Sequence, residues 1–300
     1  MTPPLRVGTR RSLLARAQTG LVLAQLARLD PALRFEEVPV ETSGDRDRSP
    51  GGSPDFTDAI DRALLRGSID LAIHSAKDLP VRLDPRFDWV ASPRREDPRD
   101  CLVIRGGRRV LSRSARVGSS SLRRRAQLLR WRPDVKVVEL RGNVDRRLAQ
   151  LKGGDLDATI LARAGLLRLG RVREASSPLP LTDFLPAPAQ GALAVLARAG
   201  ESPLGPAGER LDHAPTRAAV AAERAFAGAL GGNCNLPVAA LGRVRAGRLQ
   251  VTGEVLRADG QLSLRAGRSG ALHDASRLGA ELGAALVDRG GRELVRARIA

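Results

Sequence analysis

Hydrophobic and polar positions along the chain change period repeatedly. Leu5–Gly8 reads as a short strand, and Ser12–Leu29 has apolar residues at helical spacing until Asp30-Pro31 ends the run. Phe35–Glu41 alternates like a strand. Residues 43–54, rich in Gly, Pro, Ser and charge, read as a mobile loop. Phe56–Leu65 is helical, Gly67 closes it, and Ile69–His74 is apolar enough for a buried strand. The same alternation then recurs: strand Cys101–Ile104, strand Ala115–Gly118, helix Ser121–Trp131, strand Val135–Leu140, helix Val144–Leu151 and strand Ala158–Leu161. Strands alternating with helices predict a mostly parallel sheet covered by helices in each of these two units. Residues 91–96 and Pro186-Ala187-Pro188-Ala189-Gln190 read as the outward and return crossings between them, and domain motion is expected about both. A third unit starts with a helix from Pro215 to Leu230. Strand-like segments Pro237–Arg243, Arg248–Arg257 and Gln261–Ala266 follow, with turns at Ala246-Gly247 and Asp259-Gly260, then a helix His273–Asp288. That is an α+β module.

Composition narrows the class. The 300 residues are 42% hydrophobic but only 2% aromatic, so the core must be Leu, Val, Ala and Ile. Two distant cysteines, Cys101 and Cys234, make no disulfide framework and fit a reducing compartment. The N-terminal residues lack the pattern of a signal peptide, and no apolar run reaches membrane-spanning length. Net charge is +17, and of the 50 cationic residues only Lys77, Lys136 and Lys152 are lysine. Coding bias alone would give a soluble, arginine-coated surface. Arginine's planar fork also suits carboxylate or phosphate capture. Nucleic acid is a poorer fit, because Tyr is absent, Phe and Trp are few, and no zinc-finger or basic-zipper pattern occurs. His74, His213 and His273 are too scattered for a metal site.

Candidate chemistry sits at strand-to-helix junctions. Gly8-Thr9-Arg10-Arg11-Ser12 places backbone N–H groups and Arg10 at a helix start, where the helix dipole favours anions. Ser12 has the equally good alternative of capping that helix. Gly118-Ser119-Ser120-Ser121-Leu122-Arg123-Arg124 repeats the device in the second unit, and Leu140-Arg141-Gly142-Asn143 through Arg147 repeats it again. Three such junctions point to a multi-anionic ligand, bound at the carboxyl ends of strands in a cleft between the first two units. Asp70–Pro80 places Lys77 and Asp78 where a buried strand ends, and a carboxylate there suits a cationic intermediate or proton transfer. Gly231-Gly232-Asn233-Cys234 holds a thiol in a turn, where nearby cations would favour the nucleophilic thiolate. A thiol alone is more often a small buried hydrophobe.

These residues form a family pattern. VGTRRSLLARAQ (7–18), DLAIHSAKDLP (70–80), EDPRDCLV (96–103), VGSSSLRRRAQLL (117–129), LRGNVDRRLAQL (140–151), DATILARAGLLRLG (157–170), PAPAQGAL (186–193) and ERAFAGALGGNCNLPVAAL (223–241) occur in the order of the porphobilinogen deaminase, or hydroxymethylbilane synthase, family, which the chain resembles. The last sixty residues match only in general pattern. The resemblance implies an α/β fold of two periplasmic-binding-protein-like lobes with mainly parallel sheets, plus a C-terminal α+β domain. The implied division is 1–94 with 189–208, then 95–188, then 209–300. It implies a transferase joining four porphobilinogen molecules head to tail, with loss of ammonia and release of hydroxymethylbilane. The dipyrromethane cofactor would be held as a thioether on Cys234. Asp78, Arg10, Lys77, Arg141 and Arg147 match the catalytic positions. Ser12, His74, Ser75, Ser120, Ser121, Arg123, Arg124 and Gln190 match cofactor-site positions. A cytoplasmic monomer, with no metal, membrane or specific nucleic-acid partner, is implied as well.

The chain also departs from that pattern. The family's Gly-Gly-Lys-Gly-Leu-Phe segment is Gly51-Gly52-Ser53-Pro54-Asp55-Phe56 here, and its next lysine is replaced by Asp58. An acid is lost at Leu196, and Asn233 stands where Gly is common. Arg46 and Arg48 are candidates to supply the missing cations. The alternatives are a catalytically weakened paralogue that binds linear pyrroles, a solute-binding protein of the same architecture, and a weak nonspecific binder of nucleic acid.

Overall fold

The computed structural model describes residues 3–41, 57–232 and 236–296; Arg46, Arg48, Ser53 and Cys234 lie outside them. In chain order the elements are β1 (Leu5–Arg10), α1 (Leu13–Leu29), β2 (Phe35–Val40), α2 (Asp58–Leu65), β3 (Leu71–Ser75), β4 (Phe87–Ala91), β5 (Asp100–Ile104), β6 (Arg116–Gly118), α3 (Leu122–Trp131), β7 (Lys136–Val138), α4 (Val144–Lys152), β8 (Ala158–Ala162), α5 (Arg163–Arg168) and β9 (Ser177–Pro178). Then come β10 (Leu193–Arg198), α6 (Gly205–Leu211), α7 (Ala214–Ala229), β11 (Val238–Arg245), β12 (Arg248–Leu256), β13 (Ser263–Gly270), α8 (Ala275–Val287) and α9 (Gly291–Arg296). Two compact units result: Met1–Arg95 with Ala192–Arg217, and Glu96–Gly191 with Ala218–Ala300. Among the described residues no helix is long and apolar enough to cross a membrane.

Each unit contains one five-stranded mixed sheet. The first has the order β2-β1-β3-β10-β4, the second β7-β6-β8-β5-β9. In the first, β1 pairs in parallel with both β2 and β3, whereas β10 is antiparallel to β3 and to β4. In the second, β6 is parallel to β7 and β8, whereas β5 is antiparallel to β8 and to β9. The mainly parallel expectation thus holds for four strands of each sheet. The reversed strand is the one that follows a crossing. Leu193 enters beside Ser75 and Asp100 enters beside Ala162, both at the carboxyl edge of the parallel strands. Hydrophobicity explains these positions, since β3, β5 and β10 are apolar on both faces and belong in the middle of a sheet. Leu196, where the family pattern has an acid, is a fully buried core residue of β10. Asp58 opens α2, pairs with Arg62 at 2.7 Å and complements the helix N-terminus.

The second unit also carries a three-stranded antiparallel sheet, β11-β12-β13, with α7, α8 and α9. Phe226, Leu249, Val251, Val255, Leu278, Leu282 and Leu286 fill the core between them. Gly279 permits the approach of α8 to α7, because a Cβ there would lie 2.0 Å from the Ala222 carbonyl oxygen. The buried carboxylate of Glu223 accepts the backbone N–H groups of Ala189 at 2.5 Å and Gly242 at 2.6 Å.

One buried ion cluster fixes α3 on β5. Asp100 is fully buried, and Arg123 and Arg124 are 3% and 6% exposed. Arg123 Nη1 donates to Asp100 Oδ2 at 2.7 Å, and Arg124 Nη2 donates to Oδ1 at 2.8 Å. Gln190 Nε2 adds a third donor at 3.0 Å. Burial alone would raise the Asp100 pKa. The charges of Arg123 and Arg124 and the hydrogen bonds from Arg123 and Gln190 outweigh it, holding the carboxyl well below the usual carboxylate range.

Asp100→Asn leaves two buried guanidiniums facing a neutral amide, and the expected loss is about 3–5 kcal/mol at neutral pH. Because the folded pKa is depressed, the stabilisation is complete above the unfolded value near about 4 and is lost as pH falls through the folded pKa. Urea unfolding of wild type and variant from neutral to acid pH should therefore show a gap that is flat above about pH 5 and narrows below about pH 4. A gap that stays constant into acid would mean the carboxylate charge is not its source.

Candidate active site

In the first unit the parallel strands β2, β1 and β3 end at one edge, and several predicted residues collect there. Arg10 is the last residue of β1. Ser12 caps α1, its Oγ accepting the Ala15 N–H at 3.2 Å, so the capping alternative is realised. Ser75 ends β3, and a single 3-10 turn, Ala76–Asp78, carries half-buried Lys77 and Asp78 directly beyond it. The Ala76 N–H donates to Ala192 O at 3.0 Å, which ties that turn to the entry of β10. His74 lies one residue back and is buried. Its Nε2 sits 3.4 Å from Asp61 Oδ1 of α2, at an angle that makes no hydrogen bond.

In the second unit β6 and β7 lie side by side, so the turns after them are neighbours. The Ser119 N–H donates to Val138 O at 2.9 Å, and the Ser120 hydroxyl donates to Leu140 O at 2.7 Å. Ser121 caps α3, its Oγ accepting the Arg124 N–H at 3.4 Å. Asn143 caps α4, its Oδ1 accepting the Arg146 N–H at 2.9 Å. Gly142 makes the turn before it with φ +108°, a conformation side chains resist. Two helix N-termini therefore start side by side, and the first turn of α3 contains no acidic residue. Anions are favoured at such starts. Arg141 pairs through Nε with Glu139 at 2.6 Å and remains partly exposed. Arg147 Nε donates to Gly142 O at 2.8 Å. Arg123 and Arg124 lie beneath this edge on Asp100, which they share with Gln190. One carboxylate facing two guanidiniums leaves one positive charge in excess.

The structure thus gathers Arg10, Ser12, Ser75, Lys77 and Asp78 at one sheet edge of the first unit, with His74 turned toward α2. It gathers Ser120, Ser121, Arg123, Arg124, Arg141, Arg147 and Gln190 at one sheet edge of the second. Asp100 and Asn143 belong to the same edge but escape the sequence reading as site residues. The signal for Asp100 is a charge opening the apolar run Asp100-Cys101-Leu102-Val103-Ile104, which implies a buried partner. Among the described residues there is no His/Cys/Asp/Glu cluster able to hold a metal ion.

Comparison with known proteins fits this arrangement. The family model described as porphobilinogen deaminase, dipyromethane cofactor binding domain, matches residues 5–204, and that described as porphobilinogen deaminase, C-terminal domain, matches residues 217–288. The porphobilinogen deaminase of Thermus thermophilus is 43% identical over 96% of this chain and 97% of its own. That of Nocardia farcinica is 46% identical over 97% of this chain and 88% of its own. Among solved structures, the VFT2 domain of Bordetella pertussis BvgS is 17% identical, covering 70% of this chain and 85% of its own at a TM-score of 0.42, too distant to carry weight. Full-length identity of this order, with matching models for both parts, places the chain in the porphobilinogen deaminase family.

Proposed function

We propose that this chain makes hydroxymethylbilane with Cys234 as its attachment point, Asp78 as its central catalytic carboxylate and the two sheet edges as carboxylate receptors. As a member of the family it is a transferase of tetrapyrrole synthesis that polymerises porphobilinogen, and its N-terminal part matches the cofactor-binding domain. The observation carrying the residue assignments is the pair of adjacent helix starts in the second unit, set over an ion cluster with excess positive charge.

The donor set fits a dipyrromethane. Each pyrrole ring bears carboxylate side chains, and the chain offers helix N-termini, arginines and a buried Arg123 Nε with no hydrogen-bond partner. Cys234 would hold the group covalently; Arg123, Arg124, Ser120, Ser121 and Gln190 would line its carboxylates, and Ser12, His74 and Ser75 would serve it from the first unit. When bound, the cofactor supplies the pyrrole end to which substrate is joined. Asp78 would accept pyrrole N–H groups and stabilise the positive charge that develops on porphobilinogen as ammonia departs. Lys77 beside it, with Arg10, Arg141 and Arg147, would orient substrate carboxylates and offset their accumulating charge as the chain grows. The division into 1–94 with 189–208, 95–188 and 209–300 belongs to this reading, as does a cytoplasmic monomer acting on a small molecule without specific nucleic-acid binding.

Intact mass of the denatured protein, purified from a host that makes porphobilinogen, is the first test. An adduct of two linked pyrroles is expected on wild type and none on Cys234→Ser. A bare wild type, still bare after porphobilinogen is supplied, would sink the attachment and favour a weakened paralogue. Asp78→Asn should keep the adduct yet lower kcat by about 10²–10³-fold, the usual range for losing one transition-state stabiliser. Turnover within threefold of wild type would remove Asp78 from the centre of the reaction. Arg141→Ala and Arg147→Ala should cut kcat/KM by at least about tenfold each, whereas Arg289→Ala, at an exposed position just after α8, should not.

A further inference from the structure

A polar chain runs down one face of α3 from the candidate site to the three-stranded sheet. Arg123, Gln127 and Arg130 stand at positions i, i+4 and i+7, so they share that face. Arg123 Nη1 donates to Gln127 Oε1 at 3.1 Å, and Gln127 Nε2 donates to Glu254 Oε2 at 3.2 Å. Arg130 Nη1 donates to Glu254 Oε1 at 2.5 Å and to Ser263 Oγ at 3.1 Å. Glu254 is 1% exposed and lies on β12 directly opposite Ala239 of β11. Ala239 is five residues from Cys234.

The same side chains hold the segment that leads into residues 186–190. The Leu185 carbonyl accepts from Arg123 at 2.7 Å and Gln127 at 3.2 Å, and the Asp183 carbonyl accepts from Arg130 at 2.8 Å. Arg265 of β13 donates to the Thr182 carbonyl at 2.5 Å and the Leu181 carbonyl at 3.1 Å, and the Ala240 N–H donates to Pro186 O at 3.0 Å. Phe184, fully buried, meets Trp131 of α3 edge-on at 5.7 Å between ring centres. Leu185 packs with Ala239 and Leu241 on the face of β11 opposite the module's own core. Five carbonyls of one six-residue segment are thus held by α3 and by the three-stranded sheet. The turn at Gly260 also closes on α3, where a Cβ would lie 2.3 Å from Ala126 O and 2.8 Å from Arg130 N.

We infer that Glu254 and Arg130 are positioning residues: they lock α3 and β11 together, so that the base of β11, which follows Cys234 in the chain, keeps a fixed place relative to the anion-favouring start of α3. A buried carboxylate demands its partners, because an unpaired one is costly to bury, and this sets the register between helix and sheet. Neither residue touches substrate. Their effect falls on where the growing end is presented, hence on kcat and not on porphobilinogen binding. The functional half of this inference rests on the deaminase reading; the mechanical half does not.

The test separates the two. Amide hydrogen exchange, read in the apo protein, should rise at least tenfold at residues 181–186 and 236–241 in Glu254→Gln and in Arg130→Gln, while β6 and β8 stay within twofold of wild type. In the cofactor-bearing enzyme both variants should lower kcat about tenfold with KM within twofold. The double variant should fall no further than the worse single one, and Arg130→Lys should recover at least half of the lost turnover. Unchanged exchange at both segments, or a rise spread equally over β6 and β8, would overturn the lock whatever the chain's activity. Changed exchange with unaltered kcat, a KM effect in place of a kcat effect, or additive losses in the double variant would overturn the positioning role. Arg130, still partly exposed, provides folding-competent variants should Glu254→Gln fail to fold.

Discussion

A carboxylate with no water around it must be surrounded by donors, and in this chain that requirement organises the second unit. Asp100 begins β5, and its donors come from α3 and from Gln190, far apart in sequence. Removing the acid from water costs several kcal/mol, and the charges of Arg123 and Arg124, with hydrogen bonds from Arg123 and Gln190, keep it ionised. The geometry is consequently specific: α3 can sit on the sheet in one register only. The serines that precede it, the arginines inside it and the crossing residues that follow all inherit their positions from that one contact.

Topology supplies the remainder of the site. Parallel strands with helices between them necessarily bring several helix starts to one edge, and the polar residues of each turn gather there. Local chemistry then determines which atoms are left over. Ser12 and Ser121 use their hydroxyls as caps, and Ser120 uses its own on Leu140. What these turns offer an anion is therefore mainly backbone N–H groups and the guanidiniums behind them. Arginine serves this purpose better than lysine, because its five donors satisfy an internal carboxylate and carbonyls together, as Arg123 does with Asp100 and Leu185.

Most of the element order was legible in periodicity alone, because helices and strands alternate with clear turn signals between them. The middle of the sheets was less legible. Leu193–Arg198 is apolar on both faces and shows no alternation, so it carries no mark of a strand that will lie antiparallel at the centre of a sheet. Phe87–Ala91 and the short α5 and α6 carry equally weak signals. Junction residues were legible as a group, since Gly, Ser and Arg at a strand end have few other reasons to recur together. Their individual partners were not. Nothing in the spacing reveals that His74 faces Asp61, that Asp100 binds both arginines, or that Glu254 reaches Arg130, because such pairs are set by register between distant segments.

The strand order β2-β1-β3-β10-β4 has a consequence for the chain as it leaves the ribosome. Among the described residues β4 pairs in the sheet with β10 alone, and β10 is made more than a hundred residues later. At the usual pace of synthesis β4 waits roughly 5–20 s for its partner. The second five-stranded sheet, by contrast, uses one uninterrupted stretch of chain, β5 to β9, and is complete before β10 has been translated. Between the two five-stranded sheets, birth order and assembly order are therefore inverted: the one whose strands begin to emerge first is the one that receives its last strand second.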